Sequence, residues 1–548
     1  MQNFLKLDFN ERSDNTSPLV ASLPNGENYW RYPERQSLEQ RIAELNQVHP
    51  SQVLCTNGGD EAIMILMRLL KESYQLILPL PAFSQYTWGV KSWQLNAKLI
   101  PANKDLSINI EAIKQSIEQT KNSVTVITRP NNPTGELIAE TDLIEIIKTA
   151  KANSSWVFLD EAYIEFSQVE SAVNTLLAQF DNLVILRTLS KAYGLAGIRL
   201  GYIIGASELI NEFTLRCMPF NIPQPSLQIA NQALEPDNRE EMREYCQAIA
   251  NNRLALIEYL QSMQICVLSS EANFVMIRLP NKQATAIKSF LQKNQILIRI
   301  FNENELENCL RITIPYNLQK LKQLLKHALR PELVCLDMDG VLIDTSDSYD
   351  TTIKATVREL SGVNISQAEI YQFKDSGGYN NDWVLTQALL AKYQVELSLD
   401  KVVEVFQQLY LGKNNDGFVA NEKPLINTSL VNYINQSKQT RFAVVTGRPA
   451  FEAKAGTQLV NLKTVDVVSL DDVKEPKPSP EGINKLQKKY SSFSWMCGDN
   501  PDDMQAANAS NSLAIGIGER NAETLYEAGA DIVLNNINEL EAWLCPSK

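Results

Sequence analysis

Histidine is nearly absent from this sequence of 548 residues, which contains only His49 and His327. His49 precedes a proline and His327 lies in the helical run LKQLLKHAL, so we interpret both as structural. Their scarcity excludes catalytic triads that depend on histidine and zinc sites with several histidine ligands. Whatever chemistry the chain performs must therefore use Lys, Asp, Tyr and Arg.

Disulfide frameworks and long apolar runs are also missing. The eight cysteines are scattered, with no CxxC pair, which is typical of reduced thiols in a cytosolic protein. The N-terminal stretch MQNFLKLDFNERSD lacks the apolar core of a signal peptide. No window reaches the roughly 18 apolar residues of a membrane span. We therefore expect a cytoplasmic protein that is not inserted in a membrane.

The charge balance restricts the partners. A net charge of −13 argues against a general nucleic-acid binder and against docking on an anionic membrane. Anionic small-molecule substrates remain possible, because a site can be locally basic. The hydrophobic fraction of 44% and the charged fraction of 21% are those of an ordinary soluble globular protein, and the chain is too long for one hydrophobic core.

Apolar runs with the character of strands alternate with amphipathic helical stretches through most of the chain. The runs QLILPL, SVTVIT, SWVFLD and NLVILRT have the composition of buried parallel strands. Stretches such as LIEIIKTAKAN lie between them and have helical periodicity. This alternation predicts an α/β fold.

The sequence predicts a domain boundary near residue 330. A helix-like segment, NLQKLKQLLKHAL, ends near Arg330, and Pro331 follows it. The segment ELVCLDMDGVLID then begins a new strand. The predicted domains are therefore 1–330 and 331–548, joined by a short linker.

The second domain is predicted to consist of a core and a cap. Strand signals occupy 331–345 and return at RFAVVTG within 426–548, whereas 346–425 is largely helical. This order predicts a helical cap inserted into a doubly wound core.

Lys191 follows a strand-like run in the first half, within RTLSKAYGLAGIRLGY. An isolated Ser-Lys pair of this kind is usually a surface feature, but four other segments fit one cofactor with it. The glycines of TNGGDEAI precede a helix and can cradle a phosphate, and Tyr86 in PAFSQY can stack on an aromatic ring. RPNNPTGE forms a rigid turn with an exposed amide, and Asp160 ends a strand in FLDEAYIEF. A carboxylate there can pair with the protonated pyridine nitrogen of a pyridoxal cofactor.

Together these segments resemble the fold-type I aminotransferases and, in detail, the histidinol-phosphate aminotransferase family, over about residues 1–330. The resemblance implies that Lys191 binds pyridoxal 5'-phosphate covalently and then moves the proton between substrate and cofactor. It also implies that Asp160 holds the pyridinium and that Tyr86 stacks on the ring. Asn132 and Tyr163 would donate hydrogen bonds to the ring oxygen.

The same resemblance assigns residues to the cofactor phosphate and to the quaternary structure. The phosphate would be held by the backbone of Gly59 and Asp60 and by the side chains of Ser190 and Arg199. Thr188 would lie near the phosphate. Tyr32, in RYPE, resembles the tyrosine that reaches the cofactor phosphate of the neighbouring subunit. The resemblance therefore implies a homodimer.

Arg299 in ILIRIF and Arg311 in NCLRITI lie on two strand-like segments. In the family, arginines here bind the acidic group of the substrate, for which the guanidinium fork is suited. The alternative for each is a solvated charge at a strand edge. The sequence departs from the family on this substrate side, with NERS at 10–13 instead of an aromatic or Asn-Pro step and ITIPYN after Arg311 instead of a glycine-containing turn.

LDMDGVLID, at Leu336–Asp344, carries two carboxylates at the end of an apolar strand. Asp337 is placed to attack phosphorus and form an aspartyl phosphate, and Asp339 to protonate the leaving oxygen and then activate water. An isolated DxD is usually a polar turn, but this one has companions at later strand ends, namely Thr446, Lys477, Asp499 and Asp503. The hydroxyl and the ammonium can hold phosphoryl oxygens, and the carboxylates can bind a hard cation.

In order, this set resembles the phosphatase branch of the haloacid dehalogenase superfamily, over about residues 331–548. The dehalogenases generally lack the second aspartate, so Asp339 favours phosphoryl transfer. The predicted Mg²⁺ ligands are Asp337, Asp339, Asp499 and Asp503. In the cap, KDSGGYNNDW predicts a specificity loop with Lys374 as a substrate contact, and the alternative is an ordinary turn between helices.

The leading hypothesis is a bifunctional enzyme. One half would transaminate a phosphorylated keto compound, imidazole acetol phosphate, with glutamate as donor, and the other would remove the phosphate to give histidinol. A second hypothesis keeps both folds but changes the first substrate to another amino phosphate or an aromatic amino acid, or changes the reaction to decarboxylation. A third makes one half a regulatory ligand-binding module, against which the intact catalytic residues in both halves argue. Phosphorylated small molecules and an amino-acid donor are the expected partners.

Overall fold

A computed structural model describes residues 4–21, 29–301, 304–376, 379, 381–413 and 416–544. The chain divides into two compact units. The first comprises Met1–Leu279 and Gln295–Lys320, and the second comprises Pro280–Asn294 and Leu321–Lys548. Within the described ranges, no helix combines the length and the apolarity that crossing a membrane requires.

Strands and helices alternate along most of the described chain. The strands are β1 (Leu5–Leu7), β2 (Val53–Thr56), β3 (Gln75–Pro79), β4 (Ala97–Ile100), β5 (Ser123–Thr128), β6 (Trp156–Asp160), β7 (Leu183–Thr188), β8 (Gly201–Gly205), β9 (Cys266–Val267), β10 (Phe274–Arg278), β11 (Ile296–Phe301), β12 (Cys309–Thr313), β13 (Leu333–Leu336), β14 (Ile343–Asp344), β15 (Lys423–Pro424), β16 (Arg441–Val445), β17 (Asp466–Val468), β18 (Ser494–Gly498), β19 (Leu513–Ile517) and β20 (Ile532–Leu534). The helices are α1 (Gln36–Leu45), α2 (Gly58–Ser73), α3 (Ser84–Ser92), α4 (Ile110–Glu118), α5 (Glu140–Ala152), α6 (Ala172–Thr175), α7 (Ser207–Thr214), α8 (Gln224–Ala233), α9 (Pro236–Ser262), α10 (Gln283–Lys293), α11 (Gln319–Leu329), α12 (Tyr349–Ser361), α13 (Gln367–Asp375), α14 (Asp382–Lys392), α15 (Leu399–Leu411), α16 (Thr428–Gln436), α17 (Ala450–Leu459), α18 (Glu481–Tyr490), α19 (Pro501–Ala509), α20 (Ala522–Glu527) and α21 (Glu541–Leu544).

The first unit contains a seven-stranded sheet of order β2-β8-β7-β6-β5-β3-β4, in which β8 runs antiparallel to its neighbours. The strands β3, β5, β6 and β7 are the four apolar runs predicted from the sequence, and they pair in parallel as expected. Val157 and Leu159 pack into one hydrophobic core, and Trp156 and Phe158 into the other. Because both faces of the sheet are covered, these strands are predominantly apolar.

A second sheet in the same unit has the order β1-β11-β12-β10-β9. The N-terminal strand β1 pairs in parallel with β11, whereas β11, β12, β10 and β9 pair in antiparallel fashion. Arg299 lies directly opposite Arg311 in the β11–β12 register. Directly opposed residues share one face of an antiparallel pair, so the two cations lie side by side.

The second unit is built on an all-parallel sheet of order β17-β16-β13-β18-β19-β20. The central strand β13 has β16 and β18 as its neighbours, so the loops that follow these three strands meet at one edge of the sheet. Helices α12–α15 form a cap with its own hydrophobic core, which includes Ile353, Leu389 and Phe406. The short ribbon β14–β15 connects the cap to the sheet.

Helix α10 belongs to the second unit. Asp531 accepts a hydrogen bond from Ser289 at 2.7 Å and pairs with Lys293 at 2.8 Å, and the Trp543 indole donates to the Asn281 carbonyl at 3.0 Å. The compact units therefore change over at 279/280, 294/295 and 320/321. The boundary near residue 330 remains a prediction.

Candidate active sites

Polar residues of the first unit follow the parallel strands at their carboxyl ends. Asp160 is the last residue of β6, Asn132 follows β5, and Lys191 follows β7. Because β5, β6 and β7 are adjacent, these side chains are brought to the same edge of the sheet. Ligands of open α/β sheets bind at this edge.

Asp160 is a buried carboxylate with two hydrogen-bond donors. The Tyr86 hydroxyl donates to one oxygen at 2.8 Å, and the Ala162 backbone N–H donates to the other at 3.0 Å. Burial raises the pKa of Asp160 to about 6, and these two donors oppose the shift. A cationic partner would stabilise the ionised form, as the N–H of a protonated pyridine ring does.

Tyr86, predicted to stack on the cofactor ring, is completely enclosed, with 0% of its surface exposed. Its ring therefore offers no open face, and its hydroxyl is engaged by Asp160. Phe83, which the sequence reasoning did not single out, precedes α3 and is only half-buried. Its ring lies 6.3 Å from that of Tyr86 in an edge-on arrangement. Of the two aromatic residues in PAFSQY, Phe83 is therefore the one whose ring is partly exposed and could contact a ligand.

The Tyr163 hydroxyl receives two amide donors. Asn132 donates to it at 3.3 Å and Asn10 at 3.1 Å. Asn10 is itself buried and exchanges hydrogen bonds with Thr313 at 3.1 Å and 2.9 Å. The pair expected at the ring oxygen is therefore present, and Asn10 joins it.

The N-terminus of α2 forms a glycine-lined cradle. Gly58 has φ +72°, and a Cβ on Gly201 would fall 2.8 Å from the Gly58 carbon and the Gly59 nitrogen. Arg199, with φ 53°, pairs with Asp60 at 2.5 Å. A helix N-terminus of this kind, next to a guanidinium, suits a phosphate.

Thr188 and Ser190 lie beside one another at the end of β7. The Thr188 hydroxyl donates to the Ser190 hydroxyl at 2.9 Å and accepts from the Ser190 backbone N–H at 3.1 Å. Both side chains are buried. The structure therefore brings these two predicted phosphate-side residues together.

Arg311 is buried between polar and aromatic groups. Its guanidinium donates to the Asn132 side-chain oxygen at 2.6 Å and to the Asp8 carbonyl at 2.8 Å. Burial, helped by the nearby Arg299, lowers the pKa of Arg311. Arg299 is exposed and lies opposite Arg311. Two cations in this register favour an anion that can meet both.

The N-terminal segment contacts the predicted catalytic lysine. Lys191 Nζ donates to the Phe9 carbonyl at 3.0 Å and lies 5.7 Å from the centre of the Tyr163 ring. The carbonyls of residues 8 and 9 thus satisfy Arg311 and Lys191 in this structure. A ligand that binds these cations must take over those contacts.

The two departures from the family pattern lie against each other. The Asp14 carboxylate accepts the backbone N–H groups of Tyr316 and Asn317, each at 2.9 Å. Arg12 stacks over Tyr245 at 3.8 Å, and Tyr245 stacks on Tyr316 with centroids 6.4 Å apart. The altered N-terminal step and the altered turn after Arg311 are therefore one structural unit.

Tyr32 lies on the surface of the first unit. It is 77% exposed, and its ring stacks on Phe220 with centroids 4.5 Å apart. Trp30 and Met218, which precede Tyr32 and Phe220 by two residues each, are also exposed.

The residues of the first site fit pyridoxal phosphate. The glycine cradle and Arg199 suit its phosphate, the buried Asp160 suits its ring nitrogen, and the Tyr163 hydroxyl with Asn132 suits its ring oxygen. Lys191 supplies the amine. These donors and acceptors match the three polar ends of the cofactor.

The second unit gathers carboxylates after β13 and β18. Oxygen atoms of Asp337, Asp499 and Asp503 all lie within 4.8 Å of one another. Lys477 Nζ pairs with Asp337 at 2.7 Å and with Asp503 at 2.5 Å, and donates to the Val445 carbonyl at 3.1 Å. This arrangement fits a hard divalent cation, because three carboxylate oxygens lie close enough together to bind one ion.

The carboxylates of this cluster repel one another. Burial raises the pKa of Asp337 to about 7, with Asp503 adding to the shift and Lys477 opposing it. Burial raises the pKa of Asp499 well above its usual range, and Asp337 and Asp503 add to the shift. Burial alone would lower the pKa of Lys477, but Asp337 and Asp503 outweigh it. A bound cation would relieve this crowding.

Gly340 allows the catalytic loop to approach the cluster. Its φ is +69°, and a Cβ there would overlap the Asp499 carboxylate. Any other residue would be strained in this backbone conformation and would displace a predicted metal ligand. Steric crowding therefore explains why a glycine stands after the second aspartate of LDMDGVLID.

The Asp339 carboxylate lies outside the group formed by Asp337, Asp499 and Asp503, and its role as a metal ligand remains a prediction. Arg448 engages it through Nε at 2.9 Å and Nη2 at 2.6 Å. Arg448 also donates to Glu422 at 2.8 Å. The carboxylate turns to the guanidinium because it offers two donors.

Thr446 lies at the end of a sheet strand of the second unit, and Lys374 belongs to its cap. Buried Thr446 follows β16, and its hydroxyl accepts the Arg448 backbone N–H at 3.2 Å. In the cap, Lys374 pairs with Asp350 at 2.8 Å and with Asp382 at 3.3 Å. Of the predicted cap loop, Gly377, Gly378 and Asn380 lie outside the described residues.

Several functional candidates escaped the sequence reasoning. Arg448 stands two residues after Thr446 in AVVTGRP, so its position in the motif could have indicated it. Glu422 has no such signal, because its contacts are set by the cap, whereas Asp382 lies within the quoted run KDSGGYNNDW. Asn10 occurs in the quoted NERS step, but its partners Tyr163 and Thr313 are distant in sequence.

Comparison with known proteins finds one family for the first part of the chain and another for the second. Residues 9–327 match the family model "Aminotransferase class I and II", and residues 334–517 match "Haloacid dehalogenase-like hydrolase". Histidinol-phosphate aminotransferase 1 of Haemophilus influenzae is 35% identical over 298 residues, which are 53% of this chain and 79% of that protein. The enzyme of the same name from Yersinia pseudotuberculosis is 36% identical over 292 residues, 52% of this chain and 75% of that protein.

Solved structures show the same fold for the first part of the chain. The histidinol-phosphate aminotransferase of Clostridium acetobutylicum matches with a TM-score of 0.54 and 24% identity, covering 59% of this chain and 98% of that one. The Sinorhizobium meliloti enzyme, solved with pyridoxal-5'-phosphate, matches with a TM-score of 0.52 and 23% identity, covering 60% and 89%. The chain belongs to the aminotransferase class I and II family and carries a haloacid dehalogenase-like hydrolase segment after its aminotransferase segment.

Proposed function

We propose that this protein is a bifunctional enzyme that transaminates a phosphorylated keto compound and hydrolyses a phosphate monoester. The observation that carries the proposal is that each compact unit gathers a full catalytic set at the carboxyl ends of adjacent parallel strands. The first reaction is imidazole acetol phosphate plus glutamate to histidinol phosphate plus 2-oxoglutarate. The second converts histidinol phosphate to histidinol. The names of the relatives of the first segment support this substrate.

In the first site, the residues of this chain bind, orient and move a proton. Pyridoxal phosphate, when bound, supplies an electron-withdrawing ring. Asp160 holds the ring nitrogen protonated, because its buried carboxylate is stabilised by a cation. Asn132 and Tyr163 hold the ring oxygen. Lys191 Nζ takes the proton from the α carbon of the amino donor and returns a proton to the acceptor.

The arginine pair recognises the acidic groups of the substrates. Buried Arg311 is oriented by Asn132, and a substrate carboxylate can replace the Asp8 carbonyl on the same guanidinium in a fixed position. Exposed Arg299 lies opposite and can meet a second anionic group, such as a phosphate or a longer carboxylate. A keto phosphate and glutamate both supply such an anionic group.

In the second site, Asp337 is the nucleophile. One of its oxygens forms a bond to phosphorus while the bond from phosphorus to the ester oxygen breaks, and Asp339 gives a proton to that oxygen. A water molecule then attacks the phosphorus of the aspartyl phosphate and gives its proton to Asp339, which releases phosphate and restores Asp337. Thr446 and Lys477 hold the phosphoryl oxygens. Mg²⁺, held by Asp337, Asp499 and Asp503, would offset the charge of nucleophile and phosphate.

A cytoplasmic homodimer is part of the proposal. Exposed Tyr32, Trp30 and Phe220 form an aromatic surface on the first unit, and the Tyr32 hydroxyl is available to the cofactor phosphate of a second copy. The described cysteines are free, as expected in a reducing compartment. Light scattering coupled to gel filtration should give twice the chain mass, and Tyr32→Ala should weaken cofactor binding.

The decisive experiment supplies purified protein with imidazole acetol phosphate, glutamate and Mg²⁺. Release of inorganic phosphate and histidinol is expected, and phosphate release should require glutamate. If 2-oxoglutarate forms without phosphate, the phosphatase does not act on this product. If neither forms, the assignment of the substrate is wrong.

A second candidate keeps both reactions but changes the amino phosphate. The contact between Asp14 and the Tyr316–Asn317 backbone favours it, because this altered pair lies on the substrate side of the first unit. A panel of amino phosphates and aromatic amino acids, tested with each activity separately, would distinguish the candidates. A higher kcat/KM for another amino phosphate would select it.

A further inference from the structure

Arg448 is an enclosed cation next to the proton-transferring aspartate. Arg448 is 3% exposed, and its Nε and Nη2 donate to Oδ1 of Asp339 at 2.9 Å and 2.6 Å, while Nε also reaches Oδ2 at 3.3 Å. A guanidinium that offers two donors to one carboxylate fixes the orientation of the carboxylate as well as its distance. The orientation of Asp339 therefore depends on the position of Arg448.

Arg448 is in turn fixed by groups outside the reacting cluster. It donates to the two oxygens of Glu422 at 2.8 Å and 3.2 Å, and its guanidinium lies 4.9 Å from the centre of the Tyr349 ring. The Tyr410 hydroxyl of α15 also donates to Glu422, at 2.7 Å. These contacts leave Arg448 a single position.

Glu422 connects this chain of contacts to the cap. It directly precedes β15, which pairs with β14 in the ribbon that links cap and sheet. Tyr349 and Tyr410, which belong to cap helices α12 and α15, are in contact, with ring centroids 4.5 Å apart and ring planes tilted by 34°. The contacts therefore run from the catalytic loop through Arg448 to the base of the cap.

We propose that Arg448 is a positioning residue that aims the Asp339 carboxyl at the leaving oxygen, with Glu422 holding Arg448 in place. The inference rests on the proposed phosphatase function and concerns the same site. It adds that the cap, through Glu422 and Tyr410, determines whether the proton donor is correctly placed. An arginine that served only to balance charge would affect all phosphate esters alike.

The two roles differ in how they depend on the leaving group. An alkoxide must receive a proton as the bond from phosphorus to oxygen breaks, so its departure needs a well-placed Asp339. A p-nitrophenolate leaves without a proton. The pair p-nitrobenzyl phosphate and p-nitrophenyl phosphate therefore separates proton transfer from phosphate binding and nucleophilic attack.

The test measures the first turnover of both esters by the full-length protein with Mg²⁺. We expect Arg448→Gln to slow p-nitrobenzyl alcohol release about 100-fold and p-nitrophenolate release less than about 5-fold, since general acid catalysis has this magnitude. Asp339→Asn should give the same selective loss. Arg448→Lys should recover part of the rate, and Glu422→Gln should slow p-nitrobenzyl alcohol release about 10-fold by loosening the same contact.

Arg441→Gln is the matched control. Arg441 also lies over a tyrosine, 4.7 Å from the centre of the Tyr490 ring, and occurs on β16, the strand that leads to Arg448. It has no contact with Asp339 among the interactions of the described residues, so both esters should react at the wild-type rate.

Equal slowing of both esters by Arg448→Gln, or no slowing of either, would overturn the positioning role. If circular dichroism shows that Arg448→Gln does not fold, the same criterion applies to Glu422→Gln and Arg448→Lys. A wild-type protein that hydrolyses neither ester would refute the phosphatase assignment together with this inference. Turnover by the wild type without selective loss in the variants would refute the role of Arg448 alone.

Discussion

The two candidate sites both meet phosphate groups in the proposed scheme, yet they carry opposite charge. The first is lined by cations, namely Lys191, Arg199, Arg299 and Arg311, around one buried acid, Asp160. The second is lined by Asp337, Asp339, Asp499 and Asp503, with Lys477 and Arg448 between them. The first has to hold an anion, whereas the second has to attack one with a carboxylate.

This contrast shows what each site still requires. Burial holds the pKa of Asp160 at about 6, and the acid lacks a cationic partner that a protonated ring nitrogen would supply. Burial and neighbouring carboxylates hold the pKa of Asp337 at about 7, and a divalent cation would lower it. In the proposed scheme, each site would therefore be completed by a bound cation.

The largest expected effect separates the two activities by single substitutions. Lys191→Ala should reduce transamination about a thousandfold or more, because the amine that moves the proton is lost, and leave phosphate release unchanged. Asp337→Asn should do the reverse. Both activities are measured on each variant, together with the visible absorbance of bound cofactor, which only Lys191→Ala should change. Loss of both activities in either variant would contradict two independent sites.

Removal of divalent cations should also affect one site only. Chelation should lower phosphatase activity about 100-fold or more, because the carboxylate cluster is then uncompensated, and leave transamination intact. Adding Mg²⁺ back should restore the activity. A phosphatase that keeps its rate in the presence of chelator would show that Asp337, Asp499 and Asp503 act without a metal.

Substitution of the buried arginine tests the cationic site. Arg311→Lys should raise the KM for the amino donor about 30-fold, because a lysine cannot make the paired contact to a carboxylate, with a smaller change in kcat. Arg278→Lys is the control, since Arg278 is an exposed arginine on neighbouring β10. Equal effects of both substitutions would indicate a general disturbance of the sheet and would contradict a specific carboxylate contact at Arg311.

The smallest expected effect is a pH dependence of cofactor binding. Because burial raises the pKa of Asp160 to about 6, the carboxylate is ionised above pH 6 and protonated below it. The affinity of the cofactor-free protein for pyridoxal phosphate should therefore fall up to about tenfold per pH unit below that midpoint. Tyr86→Phe removes a donor that lowers this pKa, so the midpoint should move to higher pH. A midpoint that stays in place would exclude Asp160 as the titrating group.

Much of the fold and of both sites could be predicted, because local patterns determined them. Continuous apolar runs indicated parallel strands buried on both faces, and polar residues at their ends, such as Asp160 and Asp337, indicated the sites. Arg299 and Arg311 were also recognisable from their strands. These signals depend only on a few consecutive residues.

The remaining features depend on tertiary contacts between distant residues. Nothing local shows that Tyr86 is fully enclosed, or that Arg448 binds the Asp339 carboxylate. Glu422 reaches Arg448 only because the β14–β15 ribbon brings the cap base to the catalytic loop. Sequence patterns identify side chains, but orientation comes from partners that they do not specify.

Helix α10 has a consequence for synthesis of the chain. Its partner strands β19 and β20 are made long after it, whereas β11, which follows it directly, belongs to the first unit. During translation, Ser289 and Lys293 of α10 therefore remain without their partner Asp531 until the last strands leave the ribosome. In a chain truncated after α11, these contacts of α10 could never form.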